Sequence, residues 1–215
     1  MTLAPKHPVP VFPLEGVVLF PHAALALHVF ELRYRTMVRD ALSGGRVLAI
    51  ATLRPGWETA ARAGARFHEL GCLAKFEQVS WLDNDCYDLR VRGLVRARFT
   101  RIVREFPYDA SEVEELPSAP YEPDDPLGRL EREALVDVTR RLLPLAHEAW
   151  LQPPISGFDE GLEPFVNAIA QAARIGVAEK LELLSLDSVF ERARRLRELL
   201  AKLHRRPAPP GEGRN

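Results

Sequence analysis

A change of residue pattern near the middle of the chain constrains the fold most strongly. Before residue 107, short apolar runs are separated by prolines and glycines, which is typical of strands. After residue 126, apolar residues recur every three or four positions, which indicates amphipathic helices. Residues 107–126, between them, are rich in proline and acidic side chains and predict a last strand followed by a linker. The sequence therefore predicts an α+β fold, with a mixed, curled sheet or small barrel first and helices second.

The first 53 residues contain short apolar runs punctuated by proline and glycine. Their positions favour irregular strands over helices, because proline is tolerated at sheet edges and ends of strands. We expect strands at 9–12, 17–20, 25–30 and 46–53. Residues 31–42 change to helical spacing, and the pair Gly44-Gly45 is expected to supply the left-handed residue that ends this helix.

Three more strands are predicted between Gly71 and Arg104. Turn-forming residues at 83–85 and at Gly93 divide this region into strands at 71–82, 86–92 and 94–104. Apolar and polar side chains alternate in the middle strand, so one of its faces is expected to be buried.

The second half predicts a succession of helices. Asp125 followed by Pro126 is a typical helix start, because the aspartate side chain caps the helix and proline is tolerated in the first turn. We expect the core-facing residues of this helix to be Leu127, Leu130, Ala134, Val138, Leu142 and Leu145, with a bend at Pro144. Further helices are expected at 162–175, 178–184 and 188–204. We assign residues 8–120 to a β domain, 121–206 to an α-helical subdomain and 207–215 to a disordered tail.

Charge and hydrophobicity exclude several classes of protein. The 29 basic and 30 acidic side chains nearly cancel, so the whole molecule does not attract nucleic acid or anionic membrane at long range. No apolar run approaches the roughly 20 residues that a membrane-spanning helix needs, and prolines interrupt the first 13 residues, where a secretion signal would be unbroken. We expect a cytoplasmic protein without a membrane partner. The only cysteines, Cys72 and Cys86, are expected to be free and buried.

No constellation of residues in the sequence predicts catalysis or a cofactor. The chain contains no Gly-Lys pair, which excludes a P-loop for nucleotide phosphates, and no Gly-x-Ser-x-Gly nucleophile elbow. The six histidines lack the spacing of metal ligands. His22 and His28 could converge with Glu31, but proximity in sequence rarely builds a metal or acid–base site. We therefore predict no catalytic residue, no metal and no cofactor.

Arginines are concentrated on the predicted strands between residues 90 and 104, without acidic residues among them. Such a stripe could follow the phosphates of an RNA, with Arg90, Arg92, Arg96 and Arg98 as the contact residues. The alternative is a solvated sheet face whose arginines form ion pairs with Glu112, Glu114 and Glu115 on a neighbouring strand. We favour the ion pairs because the overall charge is balanced and aromatic residues for base stacking are scarce.

Several motifs carry a resemblance to a known family. The segment 11–21 (VFPLEGVVLFP) resembles the opening of the amino-terminal domain of Lon proteases, and 27–37 (LHVFELRYRTM) resembles the strand and helix that follow. The segments 71–74 and 91–98 are similar to later strands of that domain, and 179–187 is similar to its helical end. The chain is identified as a member of this family, of the stand-alone bacterial kind.

The resemblance implies a PUA-like mixed β pseudo-barrel with one or two helices, followed by a C-terminal helical bundle. It also implies recognition of unfolded or tagged polypeptides without ATPase or peptidase activity, in which the chain binds its target or acts as an adaptor to a separate protease. The candidate peptide-binding residues are the apolar side chains of the first two motifs: Phe12, Leu14, Phe20, Phe30 and Tyr34. RNA binding through the arginine strands is the alternative function.

Overall fold

The computed structural model of the chain describes residues 8–59, 66–122, 124–142 and 161–204. In chain order its elements are β1 (Val9–Leu14), β2 (Ala24–Val29), α1 (Leu32–Ser43), β3 (Val47–Leu53), a 3-10 helix (Trp57–Thr59), β4 (Phe67–Trp81), β5 (Tyr87–Arg104), β6 (Ala110–Leu116), α2 (Pro126–Leu142), α3 (Leu162–Ala172), α4 (Val177–Ser185) and α5 (Val189–His204). The predicted α+β class is confirmed. Pro144, Leu145 and the tail at 207–215 lie outside the described residues.

The strands form one mixed sheet that closes on itself. Its order is β2-β5-β4-β3-β1-β6, and a further pairing between β5 and β6 joins five of the strands into a ring. Only β1 and β3 run parallel, and the other neighbours are antiparallel. The ring closes because β5 is long: its first part, Tyr87–Arg92, pairs with β2 and its last part, Arg96–Arg104, pairs with β6.

Two apolar cores lie on the two faces of this sheet. The smaller core consists of eight buried residues from β1, β3, β4 and β5, with Phe67 and Phe99 edge to face at a ring-centroid distance of 5.3 Å. The larger core packs the other sheet face against α1 and the helices of the second half. Alternate residues of β3 show the division: Leu48 and Ile50 belong to the larger core, Ala49 and Ala51 to the smaller one.

Three predictions about strands and turns were wrong in an informative way. Residues 17–20 form no strand, because Phe20 N–H donates to Gln171 Oε1 at 3.1 Å and the Pro21 carbonyl accepts from Asn167 at 3.2 Å. Gly93 does not end a strand but lies inside β5. The left-handed residue after α1 is Arg46, with φ 55°, and not Gly44 or Gly45.

The remaining predicted elements are present with small shifts of their ends. Asp125 caps the start of α2 as predicted: the Leu127 N–H donates to Asp125 Oδ1 at 2.8 Å. The predicted inward face was wrong at its start, where Leu127 and Leu130 are exposed and Leu135 is fully buried. Val138 packs against the larger core as predicted. α2 packs against α5, where Glu131 pairs with Arg197 at 3.4 Å.

Candidate functional site

An open pocket of about 240 Å³ lies where the ends of β1 and β2 meet the first turn of α1. The two motifs at 11–21 and 27–37 contain the ends of β1 and β2 and the start of α1, and they converge there. The lining residues come from five separate stretches of the chain: Phe12, Pro13, Leu14 and Glu15; His28, Val29, Phe30, Glu31, Arg33 and Tyr34; Leu53 and Trp57; Arg66; and Asp109.

The pocket has a buried aromatic floor and an exposed aromatic rim. The rings of Phe12 and Tyr34 lie 4.5 Å apart between centroids, and both side chains are buried. Phe30 is 63% exposed at the rim, with its ring stacked 6.1 Å from that of His28. The exposed Phe30 ring beside the buried aromatic floor gives this pocket apolar surface that a ligand could cover.

Charged groups of both signs surround the aromatic floor. Arg66 pairs with Asp109 at 3.2 Å, and burial raises the pKa of the Asp109 carboxyl. The Arg33 guanidinium lies 4.4 Å above the Tyr34 ring and pairs with Glu31 at 2.8 Å. Burial also raises the pKa of the Tyr34 phenol, which therefore stays protonated at neutral pH. The arrangement offers no strong preference for one sign of ligand charge.

Trp57 contributes a polar atom that is not used within the described part of the chain. Its indole Nε1 is buried and has no hydrogen-bond partner there. A buried donor without an acceptor is costly, so a ligand carbonyl at this position would be stabilising.

Four of the five predicted peptide-binding residues meet at this pocket: Phe12, Leu14, Phe30 and Tyr34. Phe20 does not join them, because its side chain is fully buried in the larger core. Sequence reasoning missed Trp57, Arg66 and Asp109, which lie far along the chain from the first motifs. The isolated tryptophan directly after the Pro55-Gly56 turn was the one available signal.

The arginine stripe is not one continuous surface. Leu94 is an extra residue in β5 opposite the Leu73–Ala74 step of β4, and such a bulge reverses the direction of the side chains that follow. Val91 therefore packs in the larger core and Ala97 in the smaller one, although both have odd numbers. Consequently Arg90 and Arg92 lie on the opposite sheet face from Arg96 and Arg98.

These arginines already pair with acidic side chains or donate to backbone carbonyls. Arg90 and Arg92 both pair with Glu77, and Arg92 also donates to the His22 carbonyl at 2.8 Å. Arg98 pairs with Glu114 at 2.7 Å, and Arg101 pairs with Glu112, as the ion-pair alternative predicted.

Arg96 is buried, with its side chain only 1% exposed. It donates to the carbonyls of Leu184, Leu186 and Pro117, each at 3.0 Å, and to Asp187 at 2.8 Å. It is a structural residue that joins β5 to the α4–α5 connection, which removes the centre of the proposed RNA surface.

The described histidines do not build a metal site. His22 precedes β2 and His28 lies near its end, where Nδ1 is 2.7 Å from Asp88 Oδ1. Among residues 8–59, 66–122, 124–142 and 161–204, no group of three His, Cys, Asp or Glu side chains is arranged to hold a metal ion. None of the helices in these ranges has the length and apolarity required to span a bilayer.

A ring of strands with an open aromatic pocket, flanked by packed helices, defines a domain of the α+β class. The family model for the ATP-dependent protease La (LON) substrate-binding domain matches residues 8–202. The chain belongs to this family, as its first two motifs suggested.

Similar proteins agree with this assignment. The chain is 29% identical to a Lon protease of Chloroflexus aurantiacus over 87% of its own length and 22% of that protein. It is 27% identical to a Lon protease of Syntrophomonas wolfei over 90% of its length and 24% of that protein. The chain thus spans about a quarter or less of the relatives it matches.

Solved structures show the same fold. A Lon N-terminal domain protein from Xanthomonas campestris superposes with a TM-score of 0.61 and 26% identity, covering 91% of this chain and 98% of that one. The N-terminal domain of a Mycobacterium avium complex Lon protease superposes with a TM-score of 0.60 at 22% identity, over the same shares of the two chains.

Proposed function

We propose that this chain is a non-catalytic polypeptide-recognition module that holds apolar side chains of unfolded or tagged segments in the pocket between β1, β2 and α1. The observation that carries the proposal is the exposed Phe30 ring above the buried floor of Phe12 and Tyr34. Its membership of a substrate-binding family supports the same function.

The size and chemistry of the pocket favour a single side chain as ligand. Its volume of about 240 Å³ is below the roughly 300–1,000 Å³ of pockets that enclose drug-sized molecules. Unfolded polypeptides expose apolar side chains next to free backbone carbonyls. The aromatic floor would cover such a side chain, and the Trp57 Nε1 would donate to a nearby carbonyl.

We further propose that the module acts as an adaptor for a separate ATP-dependent protease. The relatives are Lon proteases about four times as long, of which the matched segment is one part. In this interpretation the ring of strands within residues 8–120 is a PUA-like pseudo-barrel that carries the pocket. The described helices α2 to α5 of the proposed subdomain at 121–206 support it.

Binding of an intrinsically unfolded polypeptide tests the proposal directly. Fluorescein-labelled β-casein is titrated with the chain, and its fluorescence anisotropy is followed. Phe30→Ala should weaken binding at least about fivefold, since aromatic side chains at the centre of a contact commonly dominate its free energy. The Phe30 side chain is largely exposed, so its truncation should not change the melting temperature.

Phe106→Ala is the matched control. Phe106 is 85% exposed but does not line the pocket, so its loss should leave casein binding unchanged. Equal weakening by both variants would indicate nonspecific hydrophobic binding. If the wild-type chain does not bind casein at all, the proposed function is wrong.

A further inference from the structure

Within the described part of the chain, strand β2 has one long edge without a strand partner. Among the described strands, β2 pairs with β5 alone, while the neighbouring part of β1, Val11–Leu14, pairs with β3 alone. The pocket is lined by the ends of both strands, so it lies in a slit between two open sheet edges.

The register of β2 shows which backbone groups face that slit. The Gly93 N–H donates to the Ala23 carbonyl at 2.9 Å, and the antiparallel register continues unbroken from Ala24 opposite Arg92 to Val29 opposite Tyr87. Hydrogen-bonded and non-hydrogen-bonded pairs alternate in such a ladder. Leu25, Leu27 and Val29 therefore bond to β5, whereas the N–H and C=O groups of Ala24, Ala26 and His28 point to the open edge.

The two edges of the slit differ in their chemistry. On β1, the Val11 N–H donates away from β3 to the Asp109 carbonyl at 2.8 Å. Alternate residues direct their backbone groups to the same edge, so Pro13 is the next residue of β1 that faces the open edge. Proline has no N–H, which blunts this edge. β2 contains neither proline nor lysine, the residues that commonly protect an edge, and Ala26 and His28 are exposed. β2 is thus the edge that can accept another strand.

We propose that a bound polypeptide adds as an extended strand to the free edge of β2, next to Ala24, Ala26 and His28, and places an apolar side chain in the adjoining pocket. This inference rests on the proposed function and specifies its binding mode. Backbone pairing tolerates many sequences, and a neighbouring pocket selects one side chain. A folded protein could bind in this way only through an unpaired strand edge of its own, whereas the backbone groups of an unfolded segment are free along its whole length.

Hydrogen exchange measured by NMR tests the pairing without any substitution. The amides of Ala26 and His28 should exchange rapidly in the free chain, and saturating β-casein should slow them at least about tenfold, as expected for newly formed ladder hydrogen bonds. The Leu27 amide, already bonded to β5, should be protected in both states. If the Ala26 and His28 amides are protected in the free chain and the chain is dimeric, a second copy occupies the edge and the proposal is overturned.

Ala26→Pro supplies the second measurement. It removes an N–H that no strand of the described residues uses and should leave the far-ultraviolet circular dichroism unchanged. Ala26→Val is the matched control, because it adds a similar bulk but keeps the N–H. We expect casein affinity to fall at least about fivefold with proline and to stay within twofold with valine, as for the loss of one backbone hydrogen bond.

The outcomes separate this inference from the proposed function. If casein binding depends on Phe30 but not on the Ala26 amide, and that amide gains no protection, strand addition is wrong. The proposed function of the pocket then still stands. If casein does not bind at all, both proposals are wrong.

Discussion

Arg96 of β5 and Arg192 of α5 both donate to the carbonyl oxygen of Leu186, at 3.0 Å and 2.7 Å. Arg192 also bonds to Asn167 and Ser118, at 2.8 Å and 3.2 Å, and its side chain is fully buried. The ring of strands and the helices thus share one buried polar junction. Burial lowers the pKa of the Arg192 guanidinium from its usual value, although nearby Glu163 opposes the shift.

Replacing Arg96 with methionine should strongly destabilise the fold. It leaves the carbonyls of Leu184, Leu186 and Pro117 without this donor, and disrupting a buried ionic network of this kind costs about 3–5 kcal/mol. Arg98→Met, two residues further along β5, removes only an exposed ion pair with Glu114 and should cost less than about 1 kcal/mol. Urea unfolding of both variants measures the difference, and equal midpoints would contradict the structural role of Arg96.

Gly93→Ala should also destabilise the chain, for a steric reason. A Cβ at this position would lie 2.2 Å from the Phe20 carbonyl oxygen, which is backbone and cannot move aside cheaply. We expect a loss of about 3 kcal/mol or more, at the upper end of overpacking penalties. Gly45→Ala meets no atom within 4 Å and should stay within about 0.5 kcal/mol of wild type. Thermal unfolding of the two variants would distinguish close packing from a mere glycine preference.

The Cys72 thiol should be unreactive in the folded chain. It is completely buried, and burial raises its pKa to about 12. Because the thiolate is the reactive species, Ellman's reagent at pH 8 should label Cys72 only when the protein unfolds. Cys86→Ser leaves Cys72 as the single thiol for this assay. Full labelling within seconds in the absence of denaturant would show that the larger core opens easily.

Asp109 should make stability depend on pH in the mildly acidic range. Its folded-state pKa is raised above 3.8, chiefly by burial, so the folded chain takes up this proton before the unfolded chain does. As the pH falls through the raised pKa towards 3.8, the wild-type unfolding free energy should increase relative to that of Asp109→Asn. Denaturant titrations of both proteins at several pH values measure the difference. A difference that shrinks or reverses as the pH falls would mean that pairing with Arg66 outweighs burial.

The elements could be predicted from the sequence because each has a local signal. Alternation marked the buried face of β5, and Asp125-Pro126 marked the start of α2. The start of the inward face of α2 could not be predicted, since Leu130 and Leu135 are equally apolar and only packing against α5 decides between them. Arg96 has the same local setting as Arg98, and it is buried only because the distant α4–α5 connection covers it.

In the candidate site, too, residues close in sequence could be predicted and residues brought in from distant strands could not. The aromatic residues of the first two motifs are close in sequence and met as expected around Tyr34. Phe20 was assigned to the site because it is aromatic and near the others, but α3 binds its backbone and fixes its side chain in the core. Asp109 reaches the pocket through ring closure, which depends on pairings between distant strands.

Those distant pairings determine how late parts of the fold can form during synthesis. Val9 pairs with Ser111, so the first strand stays without that neighbour until more than half of the chain has left the ribosome. The junction of Arg96 with Leu186 must wait longer still. Contacts so far apart in sequence slow folding and leave apolar segments exposed in the meantime. This chain, which is proposed to hold unfolded polypeptides, is therefore itself incompletely folded during its synthesis.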